Sequence, residues 1–133
     1  MVIYKFGFGL LLILSGCSHT PNVKNQNFPT RFQLDVTSDI LETINGNTFV
    51  AHVRGINPIF GRALTIKIRE IKVESIEDKD SNKASLAFRQ WYQFRRLIKE
   101  SKSVEIRNIE RGGEGFFVWA DLYLDGKLLK NLK

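Results

Sequence analysis

The sequence feature that most constrains the fold is one stretch of helical periodicity set among strand-like runs. From Ala84 to about Ser101, apolar residues recur every three or four positions, which predicts a single amphipathic helix. The apolar stripe consists of Ala84, Ala87, Trp91, Phe94, Leu97 and Ile98. Because Trp91 and Phe94 fall on this stripe, we expect them to pack in the core rather than to bind a ligand. The basic residues off the stripe are expected on the solvated face of the helix.

Several strand-like runs are predicted before this helix. Residues 32–36 alternate between apolar and polar side chains, which is typical of a half-buried strand. Asn45-Gly46 separates two strand-like runs, which predicts a hairpin. A longer strand is predicted from Leu64 to about Glu74, and its alternation slips by one position near Arg69-Glu70. Such a slip predicts a β-bulge or a sharp bend.

Two further strands are predicted after the helix, at residues 104–109 and 116–124, and Asp125-Gly126 then forms a tight turn. Three strands, a helix and two strands are the order of an OB-fold. The predicted class is therefore α+β, mostly β with one main helix, built as a five-stranded Greek-key barrel.

The N-terminus has the layout of an export signal. Lys5 precedes an apolar run at residues 6–14, which is too short to span a bilayer, since spanning requires about 20 apolar residues. Leu14-Ser15-Gly16-Cys17 resembles the lipobox of bacterial lipoproteins. That resemblance implies that the signal is cut before Cys17 and that this cysteine carries lipid. Since Ser18 follows rather than Asp, it also implies sorting to the outer membrane.

The predicted organisation is a lipoprotein signal peptide at 1–16, the lipidated cysteine with a flexible tether at 17–30, and one folded domain at 31–133. The predicted location is the cell envelope, with the lipid holding the protein on the membrane. Cys17 is the only cysteine, which excludes an internal disulfide and a multi-cysteine metal site.

The net charge of +6 favours acidic partners such as nucleic acid, anionic lipid or acidic polysaccharide, without choosing among them. The sequence has no P-loop, dinucleotide fingerprint or zinc-ligand spacing. Asp78 and Asp80 lack the glycine and the distal glutamate of a calcium loop, so we expect them to be solvated loop charges.

Three stretches of the domain resemble the staphylococcal nuclease-like (thermonuclease) family. Residues 44–50, INGNTFV, look like the family's I-D-G-D-T-F/V hairpin. Residues 57–61 and 64–71 resemble the loop and strand that lead to its R-x-x-G-I-D-x-P-E motif. Residues 104–109 and 120–127 resemble its closing half. The resemblance covers residues 36 to 130 and implies an OB-fold and the calcium-dependent hydrolysis of DNA and RNA.

The resemblance also assigns the family's functional positions. The two calcium-binding aspartates fall on Asn47 and Lys72, and the glutamate that activates water falls on Ser75. The two arginines that bind the phosphate fall on Lys67 and Phe117. Ser75 is no general base at neutral pH, and a cation at position 72 would repel calcium. The prediction is therefore a degenerate site without nuclease activity, metal or cofactor.

The function that remains for such a site is binding. Lys67, Arg69 and Lys72 are predicted to project from one strand and to hold single-stranded nucleic acid or another polyanion. One alternative is an active calcium-dependent nuclease, in which a register shifted by two residues uses Arg69, Glu74 and Glu77. Another is a structural lipoprotein of the envelope that contacts protein partners. The chain ends at Lys133, so the family's C-terminal helix is expected to be missing and the domain to be less stable for that reason.

Overall fold

The computed structural model describes residues 29–133, which form one curled mixed β-sheet and one long α-helix. The predicted signal peptide, Cys17 and the tether before Pro29 lie outside the described residues. The elements are β1 (Arg31–Leu34), β2 (Ile40–Asn45), β3 (Thr48–Ala51), β4 (Leu64–Ile68), α1 (Ser81–Glu100), β5 (Val104–Arg111), β6 (Phe117–Leu124) and β7 (Lys127–Leu128), with a single 3-10 turn at Pro58–Phe60. Within residues 29–133, no helix is both long and apolar enough to cross a membrane.

The sheet order is β1-β5-β6-β4-β3-β2, with the short β7 paired to β6. The β4–β6 pair is parallel and the other pairs are antiparallel. Since β1 and β2 stand at opposite ends of this order but follow each other in the chain, the sheet curls into an OB-like barrel. The predicted α+β class is thus confirmed. The sheet has seven strands rather than five because a turn splits the first strand into β1 and β2, and because β7 is added.

The turn that splits the first strand is built by two aspartates. Asp39 is 4% exposed, and its carboxylate accepts hydrogen bonds from the backbone N–H of Asp35 at 2.8 Å and from the guanidinium of Arg54 at 2.9 Å. The Asp35 carboxylate accepts from the backbone N–H groups of Thr37 and Ser38 at 2.8 and 3.0 Å. These local bonds compete with strand pairing, so the ladder is interrupted here.

Because the backbone N–H of Ser38 favours the ionised carboxylate, the pKa of Asp35 is lowered from its ordinary value of 3.8. Between the folded-state and unfolded-state pKa values, the unfolded chain binds more protons than the folded protein does. The stabilisation is therefore fully present above the ordinary pKa of Asp35. It is lost as the pH falls through the lower, folded-state pKa. We therefore expect Asp35→Asn to melt at a lower temperature than the unsubstituted protein near neutral pH, and the difference to shrink between about pH 5 and about pH 2. Thermal melts followed by circular dichroism test this. A difference that stays constant with pH would contradict it.

The core lies between the concave side of the sheet and α1. The side chains of Phe49 on β3 and Phe94 on α1 are fully buried, with ring centroids 6.1 Å apart. The predicted helical stripe is confirmed, since Ala87, Phe94 and Ile98 are buried. The helix begins after Asp80, whose carboxylate accepts from the backbone N–H of Asn82 at 2.9 Å and caps the first turn.

The slip of alternation near Arg69 marks the end of a strand. The prediction of a strand to about Glu74 is wrong, because β4 ends at Ile68 and Glu70 adopts a positive φ of 69°. The predicted sharp bend is therefore present, and it returns Ile71 to the core. Beyond it the chain runs along α1, where the backbone N–H of Glu74 donates to the side chain of Gln90 at 2.9 Å.

Candidate nucleic-acid interface

The candidate site is on the convex face of the sheet, where β4 and β6 lie side by side in parallel. Along each strand, alternate residues enter the core, as Ile66 and Ile68 do on β4 and Val118 does on β6. The intervening side chains of Lys67, Phe117 and Trp119 therefore point away from the core, and each is half-buried. We call these three residues the platform.

The platform joins one cation to two aromatic rings. Lys67 is the register partner of Trp119, and its Nζ lies 4.1 Å from the Phe117 ring centroid and 5.9 Å from that of Trp119. The two rings are 5.5 Å apart and nearly perpendicular, at 83°. This geometry is that of a cation–π contact and an edge-to-face aromatic pair. The Lys67 ammonium can bind a phosphate, and the exposed part of Trp119 can stack on a planar base.

Gly112 holds the Phe117 ring in place. A Cβ at position 112 would lie 2.5 Å from atoms of that ring, so only glycine fits without displacing it. The backbone N–H of Gly112 also donates to the carbonyl of Phe117 at 2.9 Å. The ring is thus set against the backbone before any ligand arrives, which lowers the entropy cost of binding.

The other two predicted cations do not share the strand with Lys67. Arg69 follows the last residue of β4, and its guanidinium binds Asp121 at 3.2 Å, Glu110 at 3.3 Å and the carbonyl oxygen of Asn108 at 2.7 Å. Two carboxylates therefore balance its charge. Lys72 lies in the irregular segment after the bend and is exposed. The expectation that all three cations project from one strand is wrong, because the strand ends one residue after Lys67.

The positions that the resemblance assigns to calcium and to the attacking water have other roles here. Asn47 lies in the turn between β2 and β3, where its amide nitrogen donates to the carbonyl of Ile71 at 2.9 Å. Its side-chain oxygen accepts from the hydroxyl of Thr48 at 2.9 Å. The hydroxyl of Ser75 accepts from the backbone N–H of Glu77 at 3.2 Å. Asn47 thus ties the hairpin to the segment after the bend.

The structure places the residues of the shifted register in separate segments. Its arginine, Arg69, is bound to the carboxylates described above, while Glu74 and Glu77 lie in the irregular segment that leads to α1. Across residues 29–133, no group of three or more histidine, cysteine, aspartate or glutamate side chains is arranged to hold a metal ion.

Sequence reasoning missed Trp119 as a site residue. The signal was present, because Phe117, Trp119, Asp121 and Tyr123 occupy alternate positions of one strand, and the residues between them are apolar and buried. Tyr123 extends this outward face, since the guanidinium carbon of Arg107 lies 3.8 Å from its ring centroid. The Glu105 carboxylate, which accepts a hydrogen bond from Arg107, raises the pKa of that guanidinium further.

Two of the residues assigned through the resemblance, Lys67 and Phe117, lie in contact, although they are 50 positions apart in the sequence. The resemblance assigns to both of them the positions of phosphate-binding arginines in the thermonuclease-like family. No protein-family model matches this chain, and a search of curated proteins finds no significant match. The geometry of the platform is therefore the basis on which a function can be argued.

Proposed function

We propose that this protein is a lipid-anchored, OB-like module of the cell envelope that binds single-stranded nucleic acid or a similar polyanion without cleaving it. The observation that carries the proposal is the platform, in which Lys67 lies over Phe117 at 4.1 Å beside Trp119. The anchor is the lipid expected on Cys17. No cofactor is required for this function.

The platform supports single strands rather than duplexes, because the faces of paired bases are covered by their neighbours in the stack. Exposed aromatic rings bind unpaired bases irrespective of sequence, and each stacked base contributes about 1–3 kcal/mol. Lys67 adds a charge where the phosphate backbone would pass. The outward face continues along β6 through Asp121, whose carboxylate is bound to Arg69 and Asn108, to Tyr123 and the adjacent Arg107.

Binding without cleavage is proposed because the described groups do not supply the chemistry of hydrolysis. Both polar atoms of the Asn47 side chain are occupied in holding the hairpin. Ser75 offers a hydroxyl where a carboxylate would be needed as general base. Phe117 offers a ring and no charge to the phosphate.

The proposal is tested by fluorescence anisotropy of a labelled oligothymidine with residues 18–133. This segment contains the whole buried core, which extends from Phe32 to Leu122. We expect Lys67→Glu and Phe117→Ala each to weaken binding by about tenfold, because one removes the charge and the other removes the ring that holds the ammonium and Trp119 in place. Lys99→Glu, on the exposed helix face, is the matched charge control and should change affinity less than about twofold. Equal losses in both lysine variants would indicate charge attraction without a site.

Two further measurements separate the alternatives. Affinity through phosphates should fall steeply as salt is raised, whereas no binding or a flat response would favour the structural lipoprotein. Oligonucleotide cleavage with calcium, absent with chelator and abolished by Glu74→Gln with Glu77→Gln, would overturn the non-cleaving assignment in favour of the shifted-register nuclease.

A further inference from the structure

Two apolar side chains at one end of the barrel are exposed more than any other large apolar side chain among residues 29–133. Phe116, in the loop between β5 and β6, is 97% exposed, and Ile59, in the 3-10 turn, is 80% exposed. A groove of about 550 Å³ lies between these two segments, and both side chains line it together with Phe60 and Phe117. The side chains of Phe116 and Ile59, the two apolar tips, therefore form one continuous apolar surface. Two isolated exposed residues would not form such a surface.

The described chain begins at this same end. Pro29 lines a second cavity of about 230 Å³ with Phe32, Ile56 and Phe60. Phe60 lines both cavities, so the entry point of the domain lies beside the apolar groove. Covalent geometry limits the distance from Cys17 to Pro29 to at most about 40 Å. A lipid on Cys17 would thus keep this end close to the bilayer.

The charged residues around this end favour an anionic surface. Arg31, Arg62 and Arg111 are exposed in the segments that surround the groove and the entry point. The nearby carboxylates are Glu114, in the same loop as Phe116, and Glu110, which lies 3.3 Å from Arg69. Arginine beside exposed aromatic and aliphatic side chains is the combination that binds the headgroup region of anionic membranes.

We propose that this end of the barrel docks on an anionic phospholipid bilayer, with Ile59 and Phe116 entering the headgroup boundary. A lipid on Cys17 would raise the local concentration of this surface at the bilayer, and the surface itself supplies the contact that orients the domain. The inference rests on the proposed lipid anchor for its orientation only. It does not depend on nucleic-acid binding, and Phe117, which belongs to the platform, is left unchanged in the test.

The test is cosedimentation of residues 18–133 with vesicles of phosphatidylcholine alone or mixed with phosphatidylglycerol. We expect binding to the mixed vesicles only, and a loss of about tenfold in affinity for Ile59→Ser with Phe116→Ser. Phe88→Ser is the matched control, because Phe88 is 54% exposed on α1, and it should bind as the unsubstituted protein does. An unchanged melting temperature of the double variant, measured by circular dichroism, shows that the fold is intact.

A second readout keeps the native groove nearly unaltered. Residues 18–133 contain no cysteine, so Phe116→Cys and Phe88→Cys each accept a single environment-sensitive fluorophore. With phosphatidylglycerol vesicles, emission from position 116 should shift to the blue and emission from position 88 should not. The proposal is overturned by an absence of vesicle binding, by equal binding of the double variant, or by equal shifts at both positions. Concentration-dependent dimerisation that the double variant loses would instead assign the surface to a second copy of this chain.

Discussion

Replacing Phe94 with alanine should lower the free energy of unfolding by about 3–5 kcal/mol, the range for a fully buried phenylalanine. Phe94 is 0% exposed and its ring lies 6.1 Å from that of Phe49, so truncation leaves a cavity between α1 and β3. Small domains have a total stability of about 5–15 kcal/mol, so this one change would remove a large part of it. The helix and the sheet meet at this contact.

Urea unfolding followed by circular dichroism measures the change, provided that the denaturant slope of the variant matches that of the unsubstituted protein. Phe88→Ala is the matched control, because it removes the same atoms from the exposed side of the same helix and should cost less than about 1 kcal/mol. A loss below about 1 kcal/mol for Phe94→Ala would mean that the helix does not close the core as described.

Replacing Gly46 with alanine should lower the free energy of unfolding by about 1–3 kcal/mol, through overpacking. A Cβ at this position would lie 2.8 Å from Cγ1 of Val73, 2.9 Å from Cβ of Gln90 and 3.2 Å from the backbone carbon of Gln90. The helix backbone cannot yield as the end of a flexible side chain can. We therefore expect the hairpin turn and α1 to be pushed apart.

Gly113→Ala is the control for this change, since no atom lies within 4 Å of a Cβ built there. It should alter stability by less than about 0.5 kcal/mol, as surface substitutions do. If both alanine variants unfolded at the same denaturant concentration, the close approach of α1 to the turn would be disproved.

Gly46 also shows how a correct local prediction can rest on an incomplete reason. Asn45-Gly46 predicted the hairpin through the readiness of these residues to adopt positive φ. In the structure the hairpin is present, but Gly46 is not among the residues with positive φ. The need for glycine arises instead from the helix that packs against the turn. Asp125-Gly126 is the contrasting case, where both residues have positive φ, at 49° and 79°, and a tight turn needs no distant partner.

Part of the candidate site was predicted from the sequence, and part was found only in the structure. The resemblance pointed to Lys67 and Phe117 separately, and the parallel register of β4 with β6 brings them into contact. Trp119 was identified as the third residue of the platform only from the strand register in the structure. Arg69 was predicted as a phosphate-binding cation, but Asp121, 52 positions later, accepts its hydrogen bond and takes part in balancing its charge.

The sequence by itself determined the α+β class, the element order and the buried face of the helix. These follow from periodicity, which depends on residues only a few positions apart, whereas Asp80, predicted as a solvated loop charge, caps the helix. Tertiary structure alone decided where β4 ends, which cation stays on the platform, and which apolar tips share one end of the barrel. Each of these features depends on strand register and on the approach of α1 to the sheet. Both bring together side chains that are distant in the sequence, and no local pattern encodes the distance between such side chains.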